Sequence, residues 1–372
     1  MPEPASLNVE FIANGYVAPL TQLQLHGAVR GHFDGGAYYA DGEVCQAGLH
    51  QKDGYDNTPL PIDRSAVEAR LEGSHVFGGM LQNKHFGHFL VESLSRLWAF
   101  SFLSRDYASV VYYNRIAHMD ASSFIPAVLD VLCPGVRLIM VKQPTLVEHL
   151  AVPTTIARAG VIQGHPSMAG LLAPARALRG EGHRKIYVSR SRLNPFDGMI
   201  LGEGFIERSL AAEGYHIVYP ETLSIREQFA LYNDADTVIF ADGSAAHLYA
   251  LVARADQKLF IIWRRKLNYT YVRQIESFGG PTAQGTSTIE ELFVPSHAPW
   301  GVFAQAKGRP NFDNLKAQLL QGGFITGDGW QAPTETDIQD QLADVEKILN
   351  VKLVSTNTLP DLKLVRPKAR QE

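Results

Sequence analysis

The chain has 372 residues, enough for two domains of ordinary size. Hydrophobic residues make up 45% and charged residues 19% of it, which excludes a disordered chain and a disulfide-stapled miniprotein. The net charge of -4 offers no overall attraction to nucleic acid or to an anionic membrane. Cys45 and Cys133 lack metal-site spacing and are typical of a reducing compartment, so we expect a cytoplasmic protein. We expect no signal peptide and no transmembrane segment.

The first half changes character near residue 70. Up to that point turn signals alternate with short apolar stretches, which predicts strands and loops with little helix. A regular alternation follows and predicts βαβ units. Its expected strands are 74–81, 108–114 and 136–142, and its expected helices are about 84–103 and 123–132.

The second half contains short, continuous apolar runs with no two-residue hairpin between them, which predicts a buried parallel sheet. Ser224 and Glu227 have the spacing of a capping box and fix a helix start. The expected strands are KIYVSR, YHIVYP, DTVIFAD and KLFIIW, with helices near 203–213, 224–233 and 245–254. Near the end, Ile338, Leu342, Val345 and Leu349 form the apolar stripe of an amphipathic helix, which we expect to dock on the core.

These patterns predict an α/β protein with an irregular N-terminal region and a C-terminal helical tail. We expect one domain at 1–165, a second at 183–295 and a C-terminal extension at 296–372.

The segment His85–Trp98 carries the clearest candidate for catalysis. On a regular helix His85, His88, Glu92 and Arg96 would share one face, opposite Leu90, Leu94 and Leu97. Two imidazoles and a carboxylate could supply a general base. Gly87 weakens a helix and indicates close approach by another element. The alternatives are a solvated face with a Glu92–Arg96 ion pair, and a zinc site that uses both histidines and Glu92.

A glycine turn after the strand DTVIFAD is the candidate anion site. Gly243 and Ser244 would let a ligand approach the free amides at the next helix start. Tight packing alone is the alternative, and His247 could touch a phosphate or simply pack. Cations at neighbouring strand ends would lie on the same sheet edge and form a pocket for a doubly negative group. They are Arg190, Arg192, Arg264, Arg265 and Lys266.

Asp234 and Asp236 form a DxD pair, which holds a divalent cation in many sugar transferases. Here the pair precedes its strand and therefore lies at the opposite sheet edge from Gly243. We therefore expect it to be a helix-to-strand connector.

The blocks HFGHFLVESLSRLW, YVSRSR and FIERSL through DGSAAHLYALV, taken in this order, resemble glycosyltransferase family 61. The resemblance covers about half of the chain. It implies a GT-B-like pair of Rossmann-type domains facing a cleft, inverting transfer from a nucleotide sugar, and no metal or other cofactor. It makes 1–165 the acceptor-side domain and 183–295 the nucleotide-sugar-binding domain. It assigns His88 and Glu92 to the GHF-x-x-E block.

In the second domain the resemblance matches Arg190 to the arginine closing the first strand and Glu207 to the acidic residue opening the first helix. Glu221, Gln228, Gly243 and Ser244 match further landmarks. Many relatives have His-Gly where this chain has Gly243–Ser244, and Asn near the position of His247.

We therefore predict transfer to a surface or capsular polysaccharide or to another glycan acceptor, free or lipid-linked. Peripheral membrane contact is compatible with such an acceptor, and we expect no nucleic-acid partner. The predicted catalytic residues are His88, Glu92 and His85, and the predicted donor-binding residues are Arg190, Glu207, Gly243, Ser244 and His247. The alternatives are a metal-dependent hydrolase using His85 and His88, and a non-catalytic nucleotide-sugar-binding subunit.

Overall fold

The N-terminal half is built on a mixed sheet with strand order β4-β1-β9-β6-β7-β8. In the computed structural model, residues 7–19, 23–26, 30–33, 35–50, 55–57, 59, 61–114, 120–156, 164–265, 270–297 and 305–358 are described. The first strands are β1 (Val9–Ala18), β2 (Leu23–His26), β3 (Arg30–Phe33), β4 (Gly36–Tyr38), β5 (Tyr55–Asn57), β6 (Ala69–Leu81), β7 (Tyr107–Asn114), β8 (Arg137–Val141) and β9 (Thr145–Pro153).

Within this sheet β9, β6, β7 and β8 run parallel, while β1 is antiparallel to both of its neighbours. The strands β2, β3 and β5 form a separate small sheet. The helices of this half are α1 (Phe86–His88), α2 (Phe124–Leu132) and α3 (Ala169–Arg176). The predicted alternation of strands and helices is therefore confirmed here.

The predicted regular helix over 84–103 is wrong. After the single turn of α1 the chain forms a π-helical turn at Phe89–Ser93 and then a 3₁₀ segment at Leu97–Ser101. The break is accompanied by side-chain bonds to the backbone that a solvated helix would not make. Ser95 donates to the carbonyl of Glu92, and Ser93 accepts from the amide of Gln82.

The second half contains a fully parallel sheet with strand order β12-β10-β13-β14. Its strands are β10 (Lys185–Val188), β12 (His216–Val218), β13 (Thr237–Ala241) and β14 (Lys258–Ile262), and β11 (Met199–Ile200) lies in another sheet. The strand order reverses between β10 and β13, the place where doubly wound sheets bind their ligands. The predicted parallel sheet is confirmed.

Helices connect and cover these strands, and most begin where the sequence predicts. They are α4 (Glu203–Ala212), α5 (Ile225–Asp234), α6 (Ala245–Ala250), α7 (Thr270–Ser277), α8 (Phe312–Gln321) and α9 (Glu335–Leu349). At the start of α5 the Ser224 hydroxyl accepts from the Glu227 amide, and the Glu227 carboxylate accepts from the Ser224 amide. The predicted capping box is thus confirmed.

The C-terminal part packs against the second half. Strands β15 (Ile289–Pro295), β16 (Lys307–Pro310) and β17 (Leu353–Ser355) join β11 in the order β11-β16-β15-β17. In α9, Ile338, Leu342 and Val345 are buried, as the stripe predicts, and Leu349 is half-buried. The domain boundaries at 165, 183 and 295 remain predictions.

One apolar core joins the two halves. Leu90 and Val128 of the first half and Phe229 and Tyr249 of the second belong to the same cluster of buried side chains. Among the described residues no helix is both long and apolar enough to cross a membrane. The carboxyl ends of the parallel strands of the two sheets meet beside this core, and the site described next lies there.

Candidate active site

A cavity of about 500 Å³ lies between the two halves. The first half contributes Phe86 and Phe124, which pack edge to face with ring centroids 5.3 Å apart. The second half contributes residues that follow β10 and β13, together with the loop before α5; they include Arg190, Glu221, Ser224, Gly243 and Ser244. The cavity therefore opens at the strand-order reversal of the parallel sheet, as the sequence predicts for a ligand site.

Among the described residues, Arg190 is the one positively charged side chain that lines the cavity. Its backbone amide donates to Glu203 Oε1 over 2.8 Å, and its Nη2 donates to the carbonyl of Asp197 over 3.2 Å. Its Nε is buried and has no hydrogen-bond partner in the described part of the chain. A buried guanidinium donor without a partner favours an anionic ligand at this position.

Gly243 allows Arg190 to reach this position. A Cβ atom on residue 243 would lie 2.5 Å from Arg190 Nη1 and 2.8 Å from its Cδ. The guanidinium therefore lies directly against the glycine turn that precedes α6. Arg190 and the turn thus form one surface at the carboxyl ends of β10 and β13.

The other predicted cations do not join this surface. Arg265 makes two 2.9 Å hydrogen bonds to the fully buried carboxylate of Asp242, and Arg264 donates to the Asp242 carbonyl. The guanidinium of Arg192 stacks on the Tyr219 ring, 3.5 Å from its centroid. The expectation that they surround a diphosphate is therefore wrong for these three arginines, whose charges serve internal partners. Lys266 lies outside the described residues.

Two glutamates lie beneath the Arg190 backbone. Helix α4 begins at Glu203, so the expectation that Glu207 opens it is wrong. Glu203 Oε1 accepts from Tyr187 and from the Arg190 amide, and Glu207 accepts from Ser191 and Tyr219. The Ser189 hydroxyl contacts both carboxyl groups. Glu207 therefore supports the loop after β10 and does not line the cavity.

Glu221 and Gln228 organise the rim of the cavity. Glu221 lines it, and its exposed carboxylate makes no hydrogen bond within the described ranges. Gln228 Nε2 donates to the carbonyls of Pro220 and Leu223 and so fixes the loop that carries Glu221. A free carboxylate at this rim can accept hydrogen bonds from ligand hydroxyl groups.

His88 and Glu92 form the predicted pair. Their Nδ1 and Oε1 atoms are 2.6 Å apart; the His88 side chain is 59% exposed and the Glu92 side chain only 4%. Burial opposes ionisation of Glu92, but hydrogen bonds from His88 and Gln82 and the charges of His88 and His50 lower its pKa. A carboxylate can only accept, so the imidazole is protonated at Nδ1 and its exposed Nε2 can take a proton.

The solvated-face interpretation of this segment is wrong for Glu92 and Arg96, which are buried, whereas His85 and His88 are exposed. Arg96 is buried and donates to the carbonyls of Ala47, Leu49 and Pro153, so it makes no ion pair with Glu92. Burial lowers the pKa of Arg96 to about 10. The π-helical turn rotates Arg96 away from the stripe that a regular helix would give.

Gly87 brings the two halves of the site together. A Cβ atom at residue 87 would lie 2.9 Å from His247 Cδ2 and 3.3 Å from Ser244 Cβ. The predicted close approach is confirmed, and the approaching element is α6. His88 is therefore adjacent to the glycine turn, and His85 packs edge to face on His88 with 5.7 Å between ring centroids.

His247 packs behind the glycine turn and does not line the cavity. Its Nδ1 bonds to Gln274 Oε1, and its ring meets Tyr271 at 4.7 Å between centroids. Burial lowers the pKa of His247 to about 4, although the bond to Gln274 works against this. His247 is therefore a neutral imidazole at neutral pH, with the packing role that the sequence left open.

Asp234 and Asp236 lie at the amino-terminal edge of the parallel sheet, as predicted. Asp234 Oδ2 accepts from the amides of Gly180 and Gly182, and Asp236 pairs with Arg184. Both therefore join elements of the fold. Among the described residues, no group of three or more His, Cys, Asp or Glu side chains could hold a metal ion.

The family model for glycosyltransferase 61 matches residues 86–256, which include α1, the π-helical turn, the Arg190 loop and the glycine turn. The chain carries a glycosyltransferase 61 domain. No match was found among curated proteins. The glycosyltransferase 61 match ends in the segment before β14, so β15 to β17 and α9 lie outside it.

Sequence reasoning missed two residues of this candidate site. Glu203 anchors the Arg190 amide, and its position at a helix start directly after a strand was an available signal. Gln82 holds Glu92 through a 2.7 Å hydrogen bond from Nε2 to Oε2. Nothing in the local pattern marks Gln82, because the bond spans the end of β6 and the π-helical turn.

Proposed function

We propose that the protein is an inverting glycosyltransferase with a GT-B-like arrangement that transfers a sugar from a nucleotide sugar to a surface or capsular polysaccharide or another glycan acceptor. One observation carries the proposal: a histidine–carboxylate pair follows directly after Gly87, and Gly87 lies against Ser244 in the arginine–glycine surface of the other half. The first suits proton removal and the second suits a departing diphosphate.

In the proposed reaction the acceptor hydroxyl donates its proton to His88 Nε2, and its oxygen attacks the anomeric carbon of the donor sugar. The bond from that carbon to the diphosphate oxygen breaks, and its electron pair leaves with the diphosphate. Glu92 holds the imidazole with its proton on Nδ1 and stabilises the imidazolium that forms. His85, whose ring packs on His88, is the alternative base.

Arg190 and the amides of Gly243 and Ser244 would stabilise the leaving diphosphate. With Asp234 and Asp236 engaged in the fold, we propose that transfer proceeds without a metal ion. The low cysteine content is typical of a reducing compartment and supports a cytoplasmic location, where nucleotide sugars are donors.

A thermal-shift screen of the full chain against UDP, GDP, CDP and their common sugar conjugates tests the donor. A ligand at about 100 times its Kd should stabilise the protein by about 2.7 kcal/mol. The stabilising conjugate is then incubated with oligosaccharide acceptors, and transfer is followed by mass spectrometry. Stabilisation without transfer would favour the non-catalytic subunit, and no stabilisation by any nucleotide would contradict the proposal.

A further inference from the structure

Ser189 lies between the two carboxyl groups beneath the Arg190 loop. Its Oγ is 3.0 Å from Glu203 Oε1 and 2.6 Å from Glu207 Oε1. The same Oγ accepts from the Ser191 amide over 3.0 Å. A serine hydroxyl has one proton, so Ser189 can donate to only one of the two carboxyl groups.

The remaining oxygen–oxygen contact therefore needs a proton from a carboxyl group. If Glu203 and Glu207 were both ionised, one of these contacts would join two acceptors with no hydrogen between them, an arrangement that buried polar groups avoid. A proton on Glu203 Oε1 removes the conflict. Glu203 then donates to Ser189 Oγ, and Ser189 donates to Glu207 Oε1.

In this arrangement every contact of Glu203 Oε1 and of Ser189 Oγ can be assigned as a hydrogen bond. The protonated Glu203 Oε1 donates once and accepts twice, from Tyr187 over 2.9 Å and from the Arg190 amide over 2.8 Å. Ser189 Oγ also donates once and accepts twice. These numbers match the capacity of a hydroxyl oxygen.

Burial selects Glu203 as the holder of the proton. Glu203 is 1% exposed, and its Oε2 has no hydrogen-bond partner among the described residues. Glu207 is half-buried and accepts from Ser191 over 2.5 Å and from Tyr219 over 3.2 Å. Burial, and to a smaller extent the charge of Glu207, raise the pKa of Glu203, because an unpartnered charged oxygen is costly away from water.

We propose that Glu203 is a carboxylic acid in the working protein, and that the chain Glu203–Ser189–Glu207 is a positioning device that holds the Arg190 backbone against the donor cavity. The positioning role rests on the proposed function, whereas the shared proton does not. The titratable and charged groups facing the chain are Tyr187, Arg190 and Tyr219, with Arg192 stacked on Tyr219.

The proton gives the site a defined pH dependence. As the pH rises through the raised pKa of Glu203, the chain loses its proton and a second negative charge appears beneath Arg190. Ser189 can then donate to only one of two carboxylates, so one of its contacts must lengthen, and the added negative charge beneath Arg190 opposes the binding of a diphosphate. Nucleotide affinity should therefore fall on the alkaline side while the protein stays folded.

Infrared spectroscopy of the full chain labelled with ¹³C-glutamate tests the proton without any ligand. We expect a protonated-carboxyl stretch that persists at neutral pH, disappears as the pH is raised and is absent from Glu203→Gln. The band should remain in Glu207→Gln, the matched control. Absence of the band from the wild-type protein, or its loss in Glu207→Gln alone, would overturn the assignment to Glu203.

Calorimetry with UDP, or with whichever nucleoside diphosphate binds, tests the positioning role. At neutral pH Glu203→Gln, which resembles the protonated acid, should bind within about threefold of the wild-type protein, and its affinity should not fall at alkaline pH. Glu203→Ala should bind about tenfold more weakly, the effect of one lost buried hydrogen-bond anchor. A wild-type affinity that stays constant over the pH range in which the infrared band disappears would overturn the positioning role.

Failure of the proposed function remains distinguishable from failure of this proposal. If no nucleotide binds the wild-type protein, the proposed function and the positioning role both fall, while the infrared band still decides where the proton lies. If Glu203→Ala does not fold, Glu203→Gln and Glu207→Gln decide both questions.

Discussion

The Arg190 guanidinium lies against Gly243, so close that its Nη1 would be 2.5 Å from a Cβ atom there. The two residues follow adjacent strands, β10 and β13, and a side chain on residue 243 would push the guanidinium out of its place. The arginine and the glycine turn therefore act as one unit.

Gly243→Ala should weaken nucleoside-diphosphate binding by about 1 to 3 kcal/mol, the usual cost of inserting a methyl group into a filled space. Gly204→Ala is the control, because a Cβ there meets only Arg208 Nη1 at 3.6 Å. In the interior of α4 that change should stabilise the fold slightly. Isothermal calorimetry and thermal melts measure both effects, and equal affinities in the two variants would refute the steric argument.

Arg190→Ala should reduce nucleotide affinity by about 1.5 to 3 kcal/mol, the worth of a charged hydrogen bond. Arg192→Ala removes an equal charge from the same loop, but its guanidinium stacks on Tyr219 and should matter little for binding. Calorimetric dissociation constants of the two folded variants make the comparison. A larger loss in Arg192→Ala than in Arg190→Ala would remove Arg190 from the donor site.

His88→Ala should lower kcat by about 10² to 10⁴, the usual contribution of a general base. Nucleotide affinity should stay nearly unchanged, because the proposed diphosphate contacts, Arg190 and the glycine turn, come from the other half of the molecule. His149→Ala, at an exposed position on β9, is the control and His85→Ala tests the alternative base. Full activity in His88→Ala together with lost activity in His85→Ala would transfer the role to His85.

Glu92→Gln should make the protein less stable at neutral pH than the wild type. The lowered pKa of Glu92 means that its ionised form stabilises the fold above the ordinary carboxyl pKa, and that this contribution disappears as the pH falls through the lowered value. The difference in urea midpoint between Glu92→Gln and wild type should therefore shrink on acidification. A difference that grows with acidity would contradict this sign.

Replacing both Asp234 and Asp236 by Asn should leave kcat unchanged, with or without EDTA. The double variant should be less stable by about 1 kcal/mol or more, because Asp234 accepts two glycine amides and Asp236 pairs with Arg184. Transfer assays and thermal melts separate the two effects. Activity that EDTA abolishes and Mn²⁺ or Mg²⁺ restores would show that a metal takes part.

Local rules in the sequence predicted much of the second half. The apolar runs around Ile239 and Phe260 became parallel strands, and the cap at Ser224 starts its helix. Gly87 was informative because a glycine weakens the start of a helix. Close packing by another element can offset this cost, and in the structure α6 packs against Gly87. Each of these features depends on neighbours in sequence or on a single close contact.

The failures have a common physical origin in long-range pairing. Arg96 finds its carbonyl partners at Ala47 and Pro153, so the helical stripe breaks at that point. The charge of Arg265 is paired with the Asp242 carboxylate, more than twenty residues away in sequence. Counting the positively charged residues expected at the sheet edge does not show that this charge is already paired. Partners distant in sequence decide which charges remain available to a ligand.

The contact of Gly87 with Ser244 and His247 has a consequence for water. Because Gly87 has no side chain, Ser244 and His247 can pack directly against its backbone. A larger residue at position 87 would hold the halves apart and admit solvent between the base and the sugar. In the proposed reaction the donor would then be hydrolysed in competition with glycan synthesis, so we expect Gly87 to limit hydrolysis as well as to set the spacing of the site.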